Sequence, residues 1–180
     1  MAVKICRMHI LHIVSLILTM AFPFSALAKT VEAGDATTRW IGKGIIDDHG
    51  DGERIFMGQI TGTLFVRHPS DKQPNKQRAE IHAALVHCQT VARLNPQKDE
   101  EQRALCSMTA HEGRDIAYSA MRCQGPKDAC RGGYTFIWGS GGFAGIKGST
   151  LFIGGVNIER PSEDEISGYA FFPALTYTLP

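Results

Sequence analysis

The sequence lacks several features that would point directly to a function. It has no charge excess of either sign: 19 Lys and Arg face 18 Asp and Glu in 180 residues, a formal charge of +1. A protein that binds nucleic acid electrostatically needs clustered basic residues to neutralise phosphates, so that class is excluded. Past the first 28 residues no apolar run is long enough to span a bilayer. No segment shows a sustained apolar stripe at helical spacing, although Asp99 to Leu105 could hold a short turn; helical and α/β architectures are disfavoured. Glycine, at 19 residues, is too sparse and unperiodic for collagen, and 43% hydrophobic residues are too many for a disordered chain. Catalytic signatures are also missing. No G-x-S-x-G elbow occurs, Gly139-Ser140-Gly141 being only a fragment of one, and no histidine pair has metal-binding spacing.

The N-terminus reads as an address. Lys4 and Arg7 precede an uncharged stretch from Ile10 to Phe24, and Ala26-Leu27-Ala28 supplies the small-x-small pattern of a cleavage site. This predicts a signal peptide over 1–28, cleaved after Ala28, and a periplasmic or secreted domain over 29–180. The apolar stretch falls short of the roughly 20 residues a span requires. Cleavage removes Cys6 and leaves Cys88, Cys106, Cys123 and Cys130. An even count in an exported chain predicts two disulfides. Their spacing offers neither Cys-x-x-Cys pairs nor added histidines, so no metal site is expected. No cofactor is implied.

The rest of the chain alternates with period two, the mark of half-buried strands. Between Arg54 and Arg67, residues Phe56, Gly58, Ile60, Gly62, Leu64 and Val66 share one face. Trp40, Gly42, Gly44 and Ile46 do the same, as do Tyr134, Phe136 and Trp138. Further strands are expected over Ala79–Leu94, Gln102–His111, Asp115–Gln124, Gly133–Gly139, Lys147–Val156 and Gly168–Leu179. Turn residues separate them at Asp47–Gly52, His68–Asp71, Asn95-Pro96, Glu112–Asp115 and Gly125-Pro126. About eight strands with hairpin-length links predict an all-β fold, a single antiparallel eight-stranded barrel, with a two-sheet sandwich as the competitor. A hairpin centred on Asn95 to Lys98 sets Cys88 opposite Cys106, and the short link at Gly125-Pro126 sets Cys123 near Cys130. The predicted disulfides are Cys88–Cys106 and Cys123–Cys130. The turn near Arg114 also brings Cys106 toward Cys123, so a second pairing remains open.

Glycines on the apolar face (Gly42, Gly44, Gly58 and Gly62) either let the sheet coil tightly or leave room inside. Room inside would make a ligand-binding lumen lined by Trp40, Phe56, Ile60, Leu64, Tyr134, Phe136 and Trp138.

The segment Tyr134-Thr135-Phe136-Ile137-Trp138-Gly139-Ser140-Gly141-Gly142-Phe143-Ala144-Gly145-Ile146-Lys147-Gly148 resembles the glycine-rich hairpin of the allene-oxide-cyclase-like and dirigent-like eight-stranded barrels. It is most similar to bacterial exported members of unknown function. Cys88, Cys106 and the turn Glu112-Gly113-Arg114-Asp115 follow the same pattern, and the likeness covers about Cys88 to Gly155. Ser140-Gly141-Gly142 departs from the usual Thr-Gly-Lys/Arg, and no position matches the catalytic residues of the plant cyclases. The resemblance implies a calycin-like barrel, permits a homo-oligomer, and carries no reaction with it. Read without that family, the same glycines free the backbone for a tight connection, and Phe143 is placed to plug a barrel end. The letters also fit G-x-G-x-x-A, but Gly145 and Gly148 argue against the helix a dinucleotide would need.

The remaining chemistry is sparse. Asp47, His49, Asp51 and Gly52 partly fit a calcium loop, but Gly58 stands where its bidentate Glu belongs. Glu80 and His82 share a strand face, which allows an acid–base pair. The favoured expectation is a non-catalytic exported barrel holding a small, partly apolar ligand in its lumen. Two alternatives stand beside it. One is a cyclase or isomerase of an oxidised lipid or polyketide-like substrate, using Glu80, His82, Tyr118 or Tyr177. The other is an envelope module that binds a partner through loops such as His68–Arg78 or Asn157–Gly168.

Overall fold

The computed structural model describes residues 28–67, 81–157 and 165–180. The signal-peptide reading, Glu80, the His68–Arg78 loop and most of the Asn157–Gly168 loop lie outside the described residues. Eight antiparallel strands follow one another round a closed barrel: β1 (Lys29–Asp48), β2 (Arg54–Arg67), β3 (Ala83–Leu94), β4 (Asp99–Ala110), β5 (Asp115–Pro126), β6 (Cys130–Ser140), β7 (Gly148–Asn157) and β8 (Glu165–Leu179). β1 pairs with β8 to close the ring. None of the described helical segments is long and apolar enough to cross a membrane.

Alternation sets which face turns inward. Along β2, Phe56, Ile60 and Leu64 are buried while Met57, Gln59 and Phe65 face out. Along β3, Ala84, Cys88, Thr90, Ala92 and Leu94 are buried. The β3–β4 turn fixes the next register. The Lys98 amide donates to Asn95 O at 2.9 Å, the Asp99 amide to Asn95 Oδ1 at 2.7 Å, and Lys98 takes a positive φ of 68°. That turn places Cys88 directly against Cys106, and the pair is bonded with Cα atoms 4.0 Å apart. Cys123 and Cys130 are bonded across the β5–β6 hairpin. The two-sheet sandwich is thereby replaced by a closed barrel.

The structure differs from the alternation pattern at three bulges. In β6 the partner of Tyr118 is Trp138 and the partner of Ser119 is Phe136, so Ile137 is an extra residue. One added residue turns every later side chain to the opposite face. Trp138 is therefore on the outer wall, 55% exposed, and does not line the lumen with Tyr134 and Phe136. A second irregularity sits near Gly34 in β1, where inward positions pass from Ala33 to Ala36. This explains why alternation revealed only Trp40 to Ile46 of a 20-residue strand. The third is at Pro173 and Ala174 in β8; the Thr150 hydroxyl donates to the freed Ala174 carbonyl at 2.6 Å. A further correction concerns Asp99 to Leu105, which is strand rather than turn, because inward Glu100 and Gln102 are polar and hide the period-two pattern.

Tight coiling has a visible source at Gly44 and Gly58, which face each other across β1 and β2. A Cβ on Gly44 would stand 2.2 Å from Met57 O, and one on Gly58 2.3 Å from Lys43 O. The barrel has two unlike ends. One carries the β1–β2, β3–β4 and β5–β6 turns; the other carries the β4–β5 and β6–β7 turns and the C-terminus. At the latter, Gly141–Phe143 form a single 3₁₀ turn leading into β7, and the fully buried Phe143 closes the end against Tyr177. Gly141 takes a φ of +63°, and a Cβ there would meet Arg114 O and Asp115 Oδ1 at 2.4 Å.

Candidate functional site

Six of the seven residues expected inside the barrel are buried within it. Trp40, Ile60, Leu64, Tyr134 and Phe136 line one apolar cavity beside the Cys88–Cys106 disulfide, and Phe56 is fully buried in the same core. That cavity is small, about 30 Å³. A water needs about 10–15 Å³, so the void has room for about two. The glycines do not enlarge it. Trp40 faces Gly62 on one side and Gly168 on the other, and a Cβ on Gly168 would fall 2.1 Å from its indole. Phe56 likewise fills the space at Gly58. Edge-on contacts lock the remaining rings: Tyr134 to Phe136 and Tyr134 to Phe172 at 5.4 Å, and Phe136 to Tyr177 at 5.7 Å. Such pairs hold orientation as well as burying area. The lumen is a packed core.

Roomier concavities of about 380, 430 and 550 Å³ lie on the outer wall, and the first is the most enclosed of these three. Two neighbouring rows of outward side chains cross β2 to β6 there. One runs Thr61, His87, Ser107, Tyr118, Trp138, and the other Gln59, Gln89, Leu105, Ala120, Thr135. Small residues in mid-row and the β6 bulge leave a cleft of about 380 Å³, with Gln59, Gln89, His87 and Ser107 as polar lining and Leu105, Tyr118 and Ile137 as apolar lining. Thr61 Oγ1 lies 3.2 Å from His87 Nδ1 and orients that ring. Tyr118 and Trp138 form an exposed aromatic pair, centroids 5.4 Å apart and tilted by 40°. The cleft lies in the size range of small-ligand sites, roughly 300–1,000 Å³, and the lumen void does not.

Titratable groups mark both ends. Glu100, on β4, is 1% exposed, and neither carboxylate oxygen has a hydrogen-bond partner. Burial pushes its carboxyl up to about 7. One of its oxygens lies within 4.8 Å of the sulfurs of Cys123 and Cys130. Those sulfurs are bonded to each other, so the trio offers a cation one carboxylate and no thiolates, which does not make a metal centre. At the other end, His111 Nδ1 lies 2.5 Å from Asp115 Oδ2, and the Gly142 amide donates to Asp115 Oδ1 at 2.7 Å. Burial raises the Asp115 carboxyl, but the Gly142 amide and the His111 ring outweigh it and hold it below the usual range. Asp115 thus joins the β4–β5 turn to the β6–β7 turn. Asp115→Ala leaves the Gly142 amide unpaired and is expected to cost about 1–2 kcal/mol at pH 7. A lowered carboxyl contributes stability above its unfolded value, 3.8, and loses it as pH falls through the folded value. The difference between wild type and variant in urea midpoint should therefore shrink at pH 3.

The other chemical candidates separate. Tyr177 is buried in the core, whereas Tyr118 and His82 are exposed on the wall, so they form no common site. The Asp47–Gly52 segment is a polar turn whose carboxylates are engaged: Asp48 accepts from the Gly50 amide and Arg54, and Asp51 from the Glu53 amide. The wall cleft is not among the sequence-derived sites. Its residues sit at outward parity on different strands, and only the single-residue shift at Ile137 brings Trp138 beside Tyr118. A run of two large apolar residues, Ile137-Trp138, inside an alternating strand was the one available signal. No known family model matches the chain, and no curated protein matches it.

Proposed function

We propose that this chain is a non-catalytic exported binding protein for a small, partly apolar ligand, and that the ligand sits in the wall cleft rather than along the barrel axis. The observation that carries this is the contrast between the two cavities. The lumen void is about 30 Å³ and walled by interlocked rings, while the wall cleft is about 380 Å³ and flanked by an exposed aromatic pair. A few convergent polar groups beside an apolar rim are the composition of a ligand site. Export is supported by the N-terminal pattern and by two buried disulfides. Kinship with the allene-oxide-cyclase-like and dirigent-like barrels is part of the same proposal. It is supported by the glycine-rich segment forming the β6–β7 connection of a closed eight-stranded barrel, and it brings no catalytic residue.

The two tryptophans make a direct test, because Trp40 is in the core and Trp138 on the wall. Trp40→Phe leaves only the wall reporter, and Trp138→Phe only the core reporter. Both are to be titrated with dodecanoate, geraniol and an aryl glucoside. At least one probe should shift Trp138 emission, and none should shift Trp40. A response from Trp40 alone would return the ligand to the lumen, and silence from both would remove the binding reading.

A further inference from the structure

We propose that the wall cleft recognises a neutral saccharide, whose ring stacks on the Tyr118–Trp138 pair and whose hydroxyls are read by Gln59 and Gln89; this rests on the wall-binding reading above. Charge is the first argument. None of the side chains lining the cleft is a carboxylate, an ammonium or a guanidinium. An amine would enter without a counter-charge, and a phosphate or fatty acid would meet only the His87 ring, so each would lose hydration with little in return.

Hydrogen-bonding capacity is the second. Gln59 and Gln89 are direct cross-strand partners on the outer wall. Each carboxamide offers two N–H donors and one acceptor oxygen in a plane. A hydroxyl both donates and accepts, so adjacent hydroxyls on one ring complement a pair of facing amides. Ser107 adds a further hydroxyl, and His87 a ring already oriented by Thr61. A purely apolar ligand would cover these groups and leave them unpaired. The site therefore discriminates against hydrocarbons and in favour of hydroxyl-bearing molecules.

The third argument is shape. A pyranose has one face of C–H bonds and a rim of hydroxyls, which is partly apolar in the sense the cleft requires. Trp138 is 55% exposed and Tyr118 42%, on neighbouring strands; Tyr118 lines the cleft on the side away from the amides, and Trp138 extends its apolar surface outward. Tyrosine and tryptophan combine an apolar body with a polar tip, which suits a mixed surface.

The test uses the Trp40→Phe protein, in which Trp138 reports alone, with chitotriose, cellotriose, geraniol and dodecanoate as probes; calorimetry on the unsubstituted protein gives an independent ranking. At least one trisaccharide should saturate the Trp138 signal, and Gln59→Ala with Gln89→Ala should weaken it about tenfold, the loss expected for two hydrogen bonds. Both glutamines are exposed, so thermal melts of the double variant should match those of its parent. Four outcomes overturn the proposal. If geraniol binds and neither sugar does, the saccharide is wrong and the wall site stands. If sugar affinity survives loss of both amides, they do not read it. If the Trp138 signal changes with protein concentration alone, and sedimentation shows a dimer, a second copy of the chain occupies the face. If nothing binds, the wall reading falls as well.

Discussion

Glu100→Gln is expected to stabilise the folded protein at pH 8 by on the order of 3 kcal/mol and to change little at pH 4. The cause is the placement of a buried carboxyl at the β3–β4 end of the barrel, beside the Cys123–Cys130 disulfide. Burial raises its folded pKa to about 7 from 4.5; the Val156 amide beside it pulls the other way, and the charge of Asp128 adds to the rise. An acid whose folded pKa is raised keeps its proton in the fold where the unfolded chain has already released it. Below pH 4.5 both states are protonated and there is no penalty. Between 4.5 and 7 the unfolded state holds fewer protons, so stability falls as pH rises, and above 7 the loss levels off. The Gln variant has no proton to lose there. Urea unfolding at pH 4, 6 and 8 should give wild-type midpoints that decline relative to the variant across that window. Parallel curves would mean that Glu100 is solvated or paired in solution. Asp115 works in the opposite sense, losing its contribution in acid.

The parts of the fold that were legible in the sequence are those where one local rule acted without interference. β2 was readable to its ends because Phe56, Ile60 and Leu64 alternate with glycines through its middle and no bulge interrupts it. The Cys88–Cys106 bond was readable because the Asn95–Lys98 turn is short and symmetric, which fixes what lies opposite Cys88. Legibility failed where a position depended on a partner elsewhere in the chain. Glu100 and Gln102 look like solvent-facing residues in β4 until the strand is paired. Gln102 then turns out to donate to Thr90 Oγ1 at 3.3 Å inside the barrel, and Thr90 to Arg103 O at 3.0 Å.

Trp138 departs from the alternation of its strand. Three aromatics at alternate positions suggested three aromatics in one lumen, and two of them are there. The register shift between Tyr118 and Ser119 cannot be read from β6 alone, because a bulge is a mismatch between two strands. Its consequence is to move a tryptophan from a filled core to an exposed wall, beside Tyr118 at the edge of the cleft. The glycines taught a similar lesson. A missing side chain suggests volume, but whether that volume is free depends on what the facing residue brings. At Gly62 and Gly168 it brings Trp40.

Removing Cys88–Cys106 tests that account of the lumen from the opposite direction. In the chain-entropy picture, a link spanning 18 residues contributes about 3 kcal/mol, and the Cys123–Cys130 link, spanning 7, about 2. Cys88→Ala with Cys106→Ala should therefore be the more destabilising pair by denaturant unfolding. Packing widens the difference. Both Cys88 and Cys106 line the existing void of about 30 Å³, and trimming them deletes buried sulfur on adjoining strands next to Trp40 and Met108. Interiors relax only partly around such deletions, so part of the lost volume becomes cavity. An enclosed apolar cavity stays dry and takes small apolar guests such as benzene. The alanine pair is thus expected to gain what the native lumen lacks: benzene should raise its melting temperature and shift Trp40 emission, while leaving the wild type unchanged in both. If the wild-type Trp40 already responds to benzene, the barrel axis is open in solution. The contrast between a closed lumen and an open wall cleft, on which the binding proposal stands, would then be lost.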